Sequence, residues 1–128
     1  HPPNNIAAMS AGQPLTDDMR APWLDQIREA MDQQVSEGYK VVAGCSALRR
    51  MYRKRLAQTG PVFIVHLALS PDKAHNRMAN REGHFMPASL SVSQARTLEP
   101  LEDDEYGITL DASSEIPNLI NQVLAAIA

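Results

Sequence analysis

Residues 39–69 have the sequence YKVVAGCSALRRMYRKRLAQTGPVFIVHLAL, and this stretch decides the fold class. Its two short apolar runs, 39–45 and 62–69, are typical of the buried strands of a parallel sheet. The residues between them predict a helix, which Ser46 is placed to cap and Gly60 to end, because apolar side chains recur at helical spacing at Leu48, Met51, Tyr52 and Leu56. Strand, helix and strand together predict a βαβ unit.

Helices are also predicted on both sides of this unit. Upstream, Thr16 can cap an amphipathic helix that ends at Gly38. Downstream, Ser70 is followed by a proline and can cap a helix that should run to about Gly83. A further helical stretch begins at Pro87.

The last part of the chain adds a strand and a helix. The segment YGITLDA, residues 106–112, is a weaker strand, and Ser114 opens a final helix. That helix carries an apolar stripe that we expect to be buried, formed by Ile116, Leu119, Ile120, Val123, Leu124 and Ile127. Strands that alternate with helices predict an α/β fold with helices on both faces of a mostly parallel sheet. With 44% hydrophobic residues, residues 1–128 are predicted to form a single domain.

Charge is distributed unevenly along the chain. The net charge of −3 argues against a general nucleic-acid binder, because neutralising phosphates requires a basic face. A basic cluster nevertheless occupies residues 49–55, and an acidic stretch occupies residues 99–105. The basic cluster could serve an anionic small ligand, contact a nucleic acid or be the solvated face of a helix. No aromatic platform accompanies it, which disfavours the nucleic acid.

Cysteine usage and hydropathy indicate the setting of the protein. Cys45 is the only cysteine, so it cannot form an intrachain disulfide, and no histidine adjoins it in sequence to act as a base. No apolar run is long enough to span a bilayer, and no two of the four histidines have metal-ligand spacing. These features predict a cytoplasmic protein with no membrane partner, no zinc site and no catalytic cysteine.

Two places carry side chains suited to binding or phosphoryl chemistry. Arg77 and Arg81 are four residues apart, hence on one helix face, and paired guanidinium groups suit a phosphoryl group in transfer. His84 and Gln94 follow that helix. Ser46 lies at the carboxyl end of a predicted strand, where ligands collect in open α/β sheets. A solvated helix face and an ordinary N-cap are the alternative interpretations.

Four ordered blocks span nearly the whole chain: HPxxNI from residue 1, GxPLxDxxRxPWL from residue 12, CSALxxxYRxxL from residue 45 and RxGHFMPxSLxxSQxxTLEP from residue 81. In this order and at these separations they resemble the gluconokinase family. The resemblance implies a P-loop NTPase fold of the shikimate-kinase type. It also implies transfer of the γ-phosphoryl group of ATP, with Mg²⁺, to the 6-hydroxyl of D-gluconate, which gives 6-phospho-D-gluconate.

The resemblance further implies roles for single residues. A lid at about residues 71–98 would close over the ATP phosphates with Arg77 and Arg81, the candidate catalytic residues. The implied substrate-binding residues are Ser46, Arg53, His1, Asn5, His84 and Gln94. No metal ligand is assigned in this chain. Family members often dimerise, so a homodimer is one open assembly beside the small-molecule partners D-gluconate and ATP.

One part of the family pattern does not occur in the sequence. A strand, a GxxGxGKS phosphate-binding loop and an Asp-Gly-Asp segment would precede His1, so residues 1–128 alone are expected to be a poor kinase. The missing strand would separate runs 39–45 and 62–69, which leaves a gap of about 10 Å between them. Either these edges close up, something else fills the gap, or the polypeptide is longer upstream, the alternative we favour. The alternative to a kinase is an inactive truncated remnant that binds a sugar acid or a partner protein.

Overall fold

The computed structural model describes residues 1–80 and 90–128 of the chain. In chain order, its elements are α1 (Pro3–Ser10), α2 (Asp17–Ser36), α3 (Arg50–Leu56), β1 (Ile64–Ala68), α4 (Pro71–Ala79), α5 (Leu90–Thr97), β2 (Gly107–Asp111) and α6 (Ile116–Ile127). From β1 onward, strands alternate with helices as the sequence predicts.

Strands β1 and β2 form a parallel pair. Ile64 pairs with Gly107 and Ala68 with Asp111, and the connection between the strands passes through α4 and α5. Both strands lie inside the apolar runs 62–69 and 106–112 of the sequence, so these two strand predictions are confirmed.

Gly107 approaches the backbone of β1 too closely to carry a side chain. A Cβ on Gly107 would lie 2.4 Å from the Ile64 carbonyl oxygen. Gly107→Ala is therefore expected to force the strands apart and to lower the free energy of unfolding by about 1–3 kcal/mol. Gly60→Ala is the matched control, because a Cβ at Gly60 meets nothing within 4 Å. Urea unfolding compares the two variants, and equal midpoints would contradict this account of the strand pair.

The first predicted strand, residues 39–45, is not a strand in the structure. The segment has no regular structure and pairs with neither β1 nor β2, and Val42 is fully exposed. A strand is stable only when a neighbour satisfies its backbone N–H and C=O groups, and no described segment does so here. The predicted strand, and the βαβ unit built on it, are therefore wrong for the described residues. Segment 39–45 and the run 62–69 therefore do not pair with each other to close the gap left between them.

Helices α2 and α3 pack together around the larger core cluster. The Thr16 side chain accepts a hydrogen bond from the Met19 backbone N–H at 3.2 Å, which confirms the predicted cap. Gly38, with a φ of 91°, follows the end of α2 as expected. The prediction that Ser46 caps α3 is wrong, because the N-cap is Arg49 and its side chain makes no capping bond. The buried core side chains of the two helices are Trp23, Leu24, Tyr52 and Leu56.

Helices α4 and α5 occupy the predicted lid region. The Ser70 hydroxyl accepts a hydrogen bond from the Lys73 backbone N–H at 3.3 Å, which confirms this N-cap. Helix α4 ends at Ala79, earlier than predicted, while Gly83 and Pro87 lie outside the described residues. The start of α5 joins a second core cluster, which contains Met9, Leu15 and Leu90.

Helix α6 has the predicted apolar stripe but does not bury it. The helix begins at Ile116 with Glu115 at its N-cap, so the predicted start at Ser114 is slightly early. None of its residues is buried, and Ile116 is 71% exposed. Its strongest element contact in the described chain is with β2, which covers little of the helix. The expectation of a buried stripe is therefore wrong: burial needs a partner surface, and residues 1–80 and 90–128 do not supply one.

Candidate functional site

A groove of about 710 Å³ runs along β1. One wall is the irregular segment 42–48, and residues of α4 and α5 form another. Consecutive β1 residues, 64–67, line it, as expected when a strand presents its edge rather than one face. The groove therefore lies between the segment expected to be a strand and the strand that formed.

The groove brings together three predicted substrate-binding residues: Ser46, Arg53 and Gln94. Ser46 lies on the irregular wall and Gln94 on the wall formed by the lid helices. Two tight backbone turns shape the first wall, in which the Ala47 N–H donates to the Cys45 carbonyl and the Leu48 N–H to the Ser46 carbonyl, both at 2.9 Å. These turns explain why α3 does not begin at Ser46.

Arg53 also lines the groove, but its guanidinium group is engaged within the chain. Its side chain is 5% exposed and forms a two-point ion pair with Glu105, with Nε–Oε1 at 2.7 Å and Nη2–Oε2 at 3.0 Å. Nη1 donates to the carbonyls of Ala47 and Glu99, and Nη2 donates to that of Pro100. All five N–H donors are thus used. Direct binding of substrate by Arg53 would require one of these bonds to open.

The same guanidinium group affects two titratable neighbours. Arg53 holds the pKa of the Glu105 carboxyl below its usual range. His66, on β1, lines the groove, and its pKa is lowered first by burial and then by the Arg53 charge. His66 is therefore a neutral imidazole at pH 7, able to donate one hydrogen bond and accept another.

His1 and Asn5 lie away from the groove. The His1 ring stacks on Trp23, with ring centroids 4.0 Å apart and planes 20° apart. Asn5 is buried, and its Nδ2 donates to the Met19 carbonyl at 2.9 Å. Neither residue is among the described residues that line the groove. The structure thus does not bring these two predicted substrate residues together with the groove residues.

A buried polar network joins α2 to α3, and the prediction of site residues missed it. Arg20, 7% exposed, donates to the Tyr52 hydroxyl at 2.8 Å, and its Cζ lies 5.3 Å from the Tyr52 ring centroid. The Tyr52 hydroxyl in turn donates to Asp17, whose second oxygen accepts a hydrogen bond from Arg49 at 3.2 Å. Burial, and then Asp17, raise the pKa of Tyr52. A signal was present, because three of these residues are fixed positions of the sequence blocks: Asp17, Arg20 and Tyr52.

The predicted lid residues lie only partly within the described chain. Arg77 is exposed on α4, and its Nη2 donates to the Ala112 carbonyl, just past β2, at 3.1 Å. His75 Nδ1 lies 3.0 Å from the Ser91 hydroxyl, which ties α4 to α5. Two further predicted site residues lie outside the described residues, namely Arg81 and His84.

The basic cluster is paired with carboxylates from elsewhere in the chain. Four of its arginines form ion pairs: Arg49 with Asp17, Arg50 with Glu102 and Asp104, Arg53 with Glu105, and Arg55 with Asp25. Two of these four partnerships are with the acidic stretch 99–105. In the described structure these four guanidinium groups are therefore paired with carboxylates of the chain itself.

Among residues 1–80 and 90–128, neither cysteine nor metal chemistry finds support. Burial raises the pKa of the Cys45 thiol to about 11, so this cysteine is a thiol rather than a nucleophilic thiolate at neutral pH. No three His, Cys, Asp or Glu side chains of the described chain come together as a metal site. No described helix is both long and apolar enough to cross a membrane.

Comparison with known proteins identifies the family. No family model matches the chain. It is 49% identical over 106 residues to the gluconokinase of Gluconobacter oxydans, covering 82% of this chain and 60% of that protein. It is 34% identical to a probable gluconokinase of Xenopus tropicalis, covering 96% of this chain and 73% of that protein. The chain belongs to the gluconokinase family.

Solved structures agree with this membership in the gluconokinase family. A sugar kinase from Janibacter superposes with a TM-score of 0.90 at 45% identity, covering 99% of this chain and 74% of that one. A gluconokinase from Sinorhizobium meliloti superposes with a TM-score of 0.82 at 39% identity, and the superposition covers 99% of this chain and 71% of that one. The predicted α/β kinase fold is thus confirmed. The chain spans about three fifths to three quarters of the length of these four relatives.

Proposed function

We propose that the protein containing these residues is a gluconokinase, which transfers the γ-phosphoryl group of ATP to the 6-hydroxyl of D-gluconate and forms 6-phospho-D-gluconate. Support comes from relatives named gluconokinase that align with 82% and 99% of this chain. The structural observation that carries the proposal is the groove along β1, with Ser46 on one wall and the lid helices on another.

In this proposal the groove receives a strand from outside residues 1–128, followed by the phosphate-binding loop. The edge of β1 and the exposed segment at Val42 offer backbone groups on both sides of the groove. In a parallel arrangement the loop after the new strand would emerge at the carboxyl edge, beside Ser46 and the Ser70 cap of α4. Residues 1–128 would then be one incomplete domain, with its lid at about 71–98.

The residues of this chain would bind, orient and shield the reactants. Arg77 and Arg81 would hold the charge of the transferring phosphoryl group, and closure of the lid would exclude water from it. Ser46 and Gln94 would bind gluconate from two walls of the groove. His84 would act from the lid, and Arg53 would shape the gluconate side. His1 and Asn5 would line the rim after a rearrangement that brings them closer.

ATP would supply the phosphoryl group, and Mg²⁺ would neutralise its phosphate charge. Mg²⁺ is usually held by substrate phosphates together with one or two carboxylates. Among the described residues, no three His, Cys, Asp or Glu side chains come together as a metal site, and the carboxylates of Glu102, Asp104 and Glu105 are paired with arginines. The proposal therefore assigns the groups that hold Mg²⁺ to the same outside segment as the phosphate loop. It also includes a cytoplasmic setting and leaves a homodimer open.

Formation of 6-phospho-D-gluconate tests this function directly. Purified protein, expressed with its natural upstream sequence, is supplied with ATP, Mg²⁺ and D-gluconate, and product is detected through 6-phosphogluconate dehydrogenase as NADPH. We expect NADPH formation that depends on both ATP and gluconate. With glucose, which lacks the carboxylate, in place of gluconate, formation of ADP should remain at background. ATP consumption without this product would refute the assignment of gluconate as the substrate.

A further inference from the structure

We propose that Arg50 and Arg53 are positioning residues for the lid, an inference that rests on the proposed kinase function. They would act by fixing residues 99–105, the return segment, through which the chain leaves α5 and reaches β2. From sequence alone, a ligand site is one interpretation of this basic cluster. The contacts assign two of its arginines to the attachment of a moving element instead.

Arg50 holds the return segment at three points. Its guanidinium group pairs with Glu102 and binds Asp104 through two hydrogen bonds, of 2.9 and 2.6 Å. Its backbone N–H donates to the Glu99 carboxylate at 3.1 Å. The acidic side chains come from the return segment alone, while the donors come from the first residue of α3.

Arg53 adds a buried attachment one helical turn further along α3. It pairs with Glu105 and also donates to the carbonyls of Glu99 and Pro100. Among the described residues, direct backbone attachment of the return segment is sparse, with the Glu99 N–H bonded to the Leu48 carbonyl at 2.6 Å. The two guanidinium groups therefore determine where the end of α5 meets the core.

This attachment matters for the groove because the lid forms one of its walls. Gln94 and Leu98, at the end of α5, line the groove, and the return segment begins immediately after Leu98. A shift of the return segment would carry α5 and its groove residues with it. Small displacements of positioned groups have large kinetic effects, so loss of the attachment should weaken binding of the nucleotide that the lid covers.

Arg50→Gln is the informative variant, because its ion pairs are exposed and its loss should not unfold the protein. In protein with its natural upstream sequence, we expect the KM for ATP to rise about threefold to tenfold, and the KM for gluconate to rise as well, because Gln94 moves with α5. Arg55→Gln is the matched control, since Arg55 lies in the same cluster but pairs with Asp25 of α2. It should leave both KM values unchanged. The double variant Arg50→Glu with Asp104→Arg exchanges the two charges and should restore the KM for ATP.

Two results would overturn the inference: equal KM values for ATP in Arg50→Gln and Arg55→Gln, or no rescue by the charge exchange. Hydrogen exchange separates this failure from failure of the proposed function, since it needs no activity. Arg50→Gln should accelerate exchange of residues 90–105 at least about threefold relative to Arg55→Gln, while residues 17–36 remain unchanged. An unchanged rate in residues 90–105 contradicts the attachment even if the protein is not a gluconokinase.

Discussion

Arg53→Met is expected to lower the free energy of unfolding by about 3–5 kcal/mol, the usual cost of removing one partner of a buried ion pair. The side chains of Arg53 and Glu105 are 5% and 10% exposed, and the variant leaves the Glu105 carboxylate without its cation. It also removes donors from the carbonyls of Glu99 and Pro100. Because small domains have about 5–15 kcal/mol of stability in total, the variant should be at the edge of folding.

Chemical denaturation followed by circular dichroism measures this loss. Arg55→Met is the control, because Arg55 is 44% exposed and its ion pair with Asp25 should contribute little. The double variant Arg53→Met with Glu105→Leu should recover part of the loss, since no charge is then left buried. Equal unfolding midpoints for Arg53→Met and Arg55→Met would show that the pair does not hold the return segment to α3.

The pair also predicts how stability depends on pH. Arg53 lowers the pKa of Glu105 in the folded protein, so Glu105 stabilises the fold at pH values above its unfolded pKa. This stabilisation is lost as pH falls through the lower, folded pKa. Arg53→Met should therefore flatten the acid limb of a stability–pH curve, whereas Arg55→Met should leave the Glu105 contribution in place.

Arg81→Ala is expected to lower kcat about 10³-fold in protein that carries its natural upstream sequence, an effect typical of arginines that stabilise a transferring phosphoryl group. Arg77→Ala should lower kcat about 10²-fold, because one of its donors is already bound to the Ala112 carbonyl and others remain for phosphate. Steady-state assays at saturating ATP and gluconate separate kcat from KM.

The control for the lid arginines is Arg96→Ala. Arg96 is exposed in the last turn of α5, within the same lid region and with the same charge. Its replacement should leave kcat within about threefold of the parent protein, because screened surface charges act weakly at a distance. If Arg81→Ala and Arg96→Ala behaved alike, the lid arginines would contribute general charge and not phosphoryl contact.

Local sequence patterns correctly predicted the features that depend only on neighbouring residues, such as helix caps. Thr16 and Ser70 cap their helices as predicted, since an N-cap needs only the first turn of its own helix. The apolar run that contains β1 forms a strand because β2 pairs with it. Among residues 1–80 and 90–128, the equally strand-like segment 39–45 finds no partner, and the stripe of α6 finds no covering surface. Apolar patterning indicates what a segment can bury, whereas the partner that buries it comes from elsewhere.

In the candidate site, too, some features could be predicted from the sequence and others could not. Ser46 and Gln94 could be placed from their motifs, and the structure sets both beside the groove. The pairing of basic cluster and acidic stretch could not be predicted, because it depends on how the chain returns from α5 to α3. Charge runs separated by some fifty residues give no spacing signal of the kind that helices and strands give.

We propose that the groove along β1 receives a strand and a phosphate-binding loop from outside residues 1–128. The most direct test of this proposal compares ATP-dependent gluconate phosphorylation by residues 1–128 with that by a protein extended upstream in its natural reading frame. Activity is expected only in the extended protein. Comparable turnover by residues 1–128 alone would contradict it, and so would an extended protein that folds but remains inactive, which would instead indicate a binding remnant.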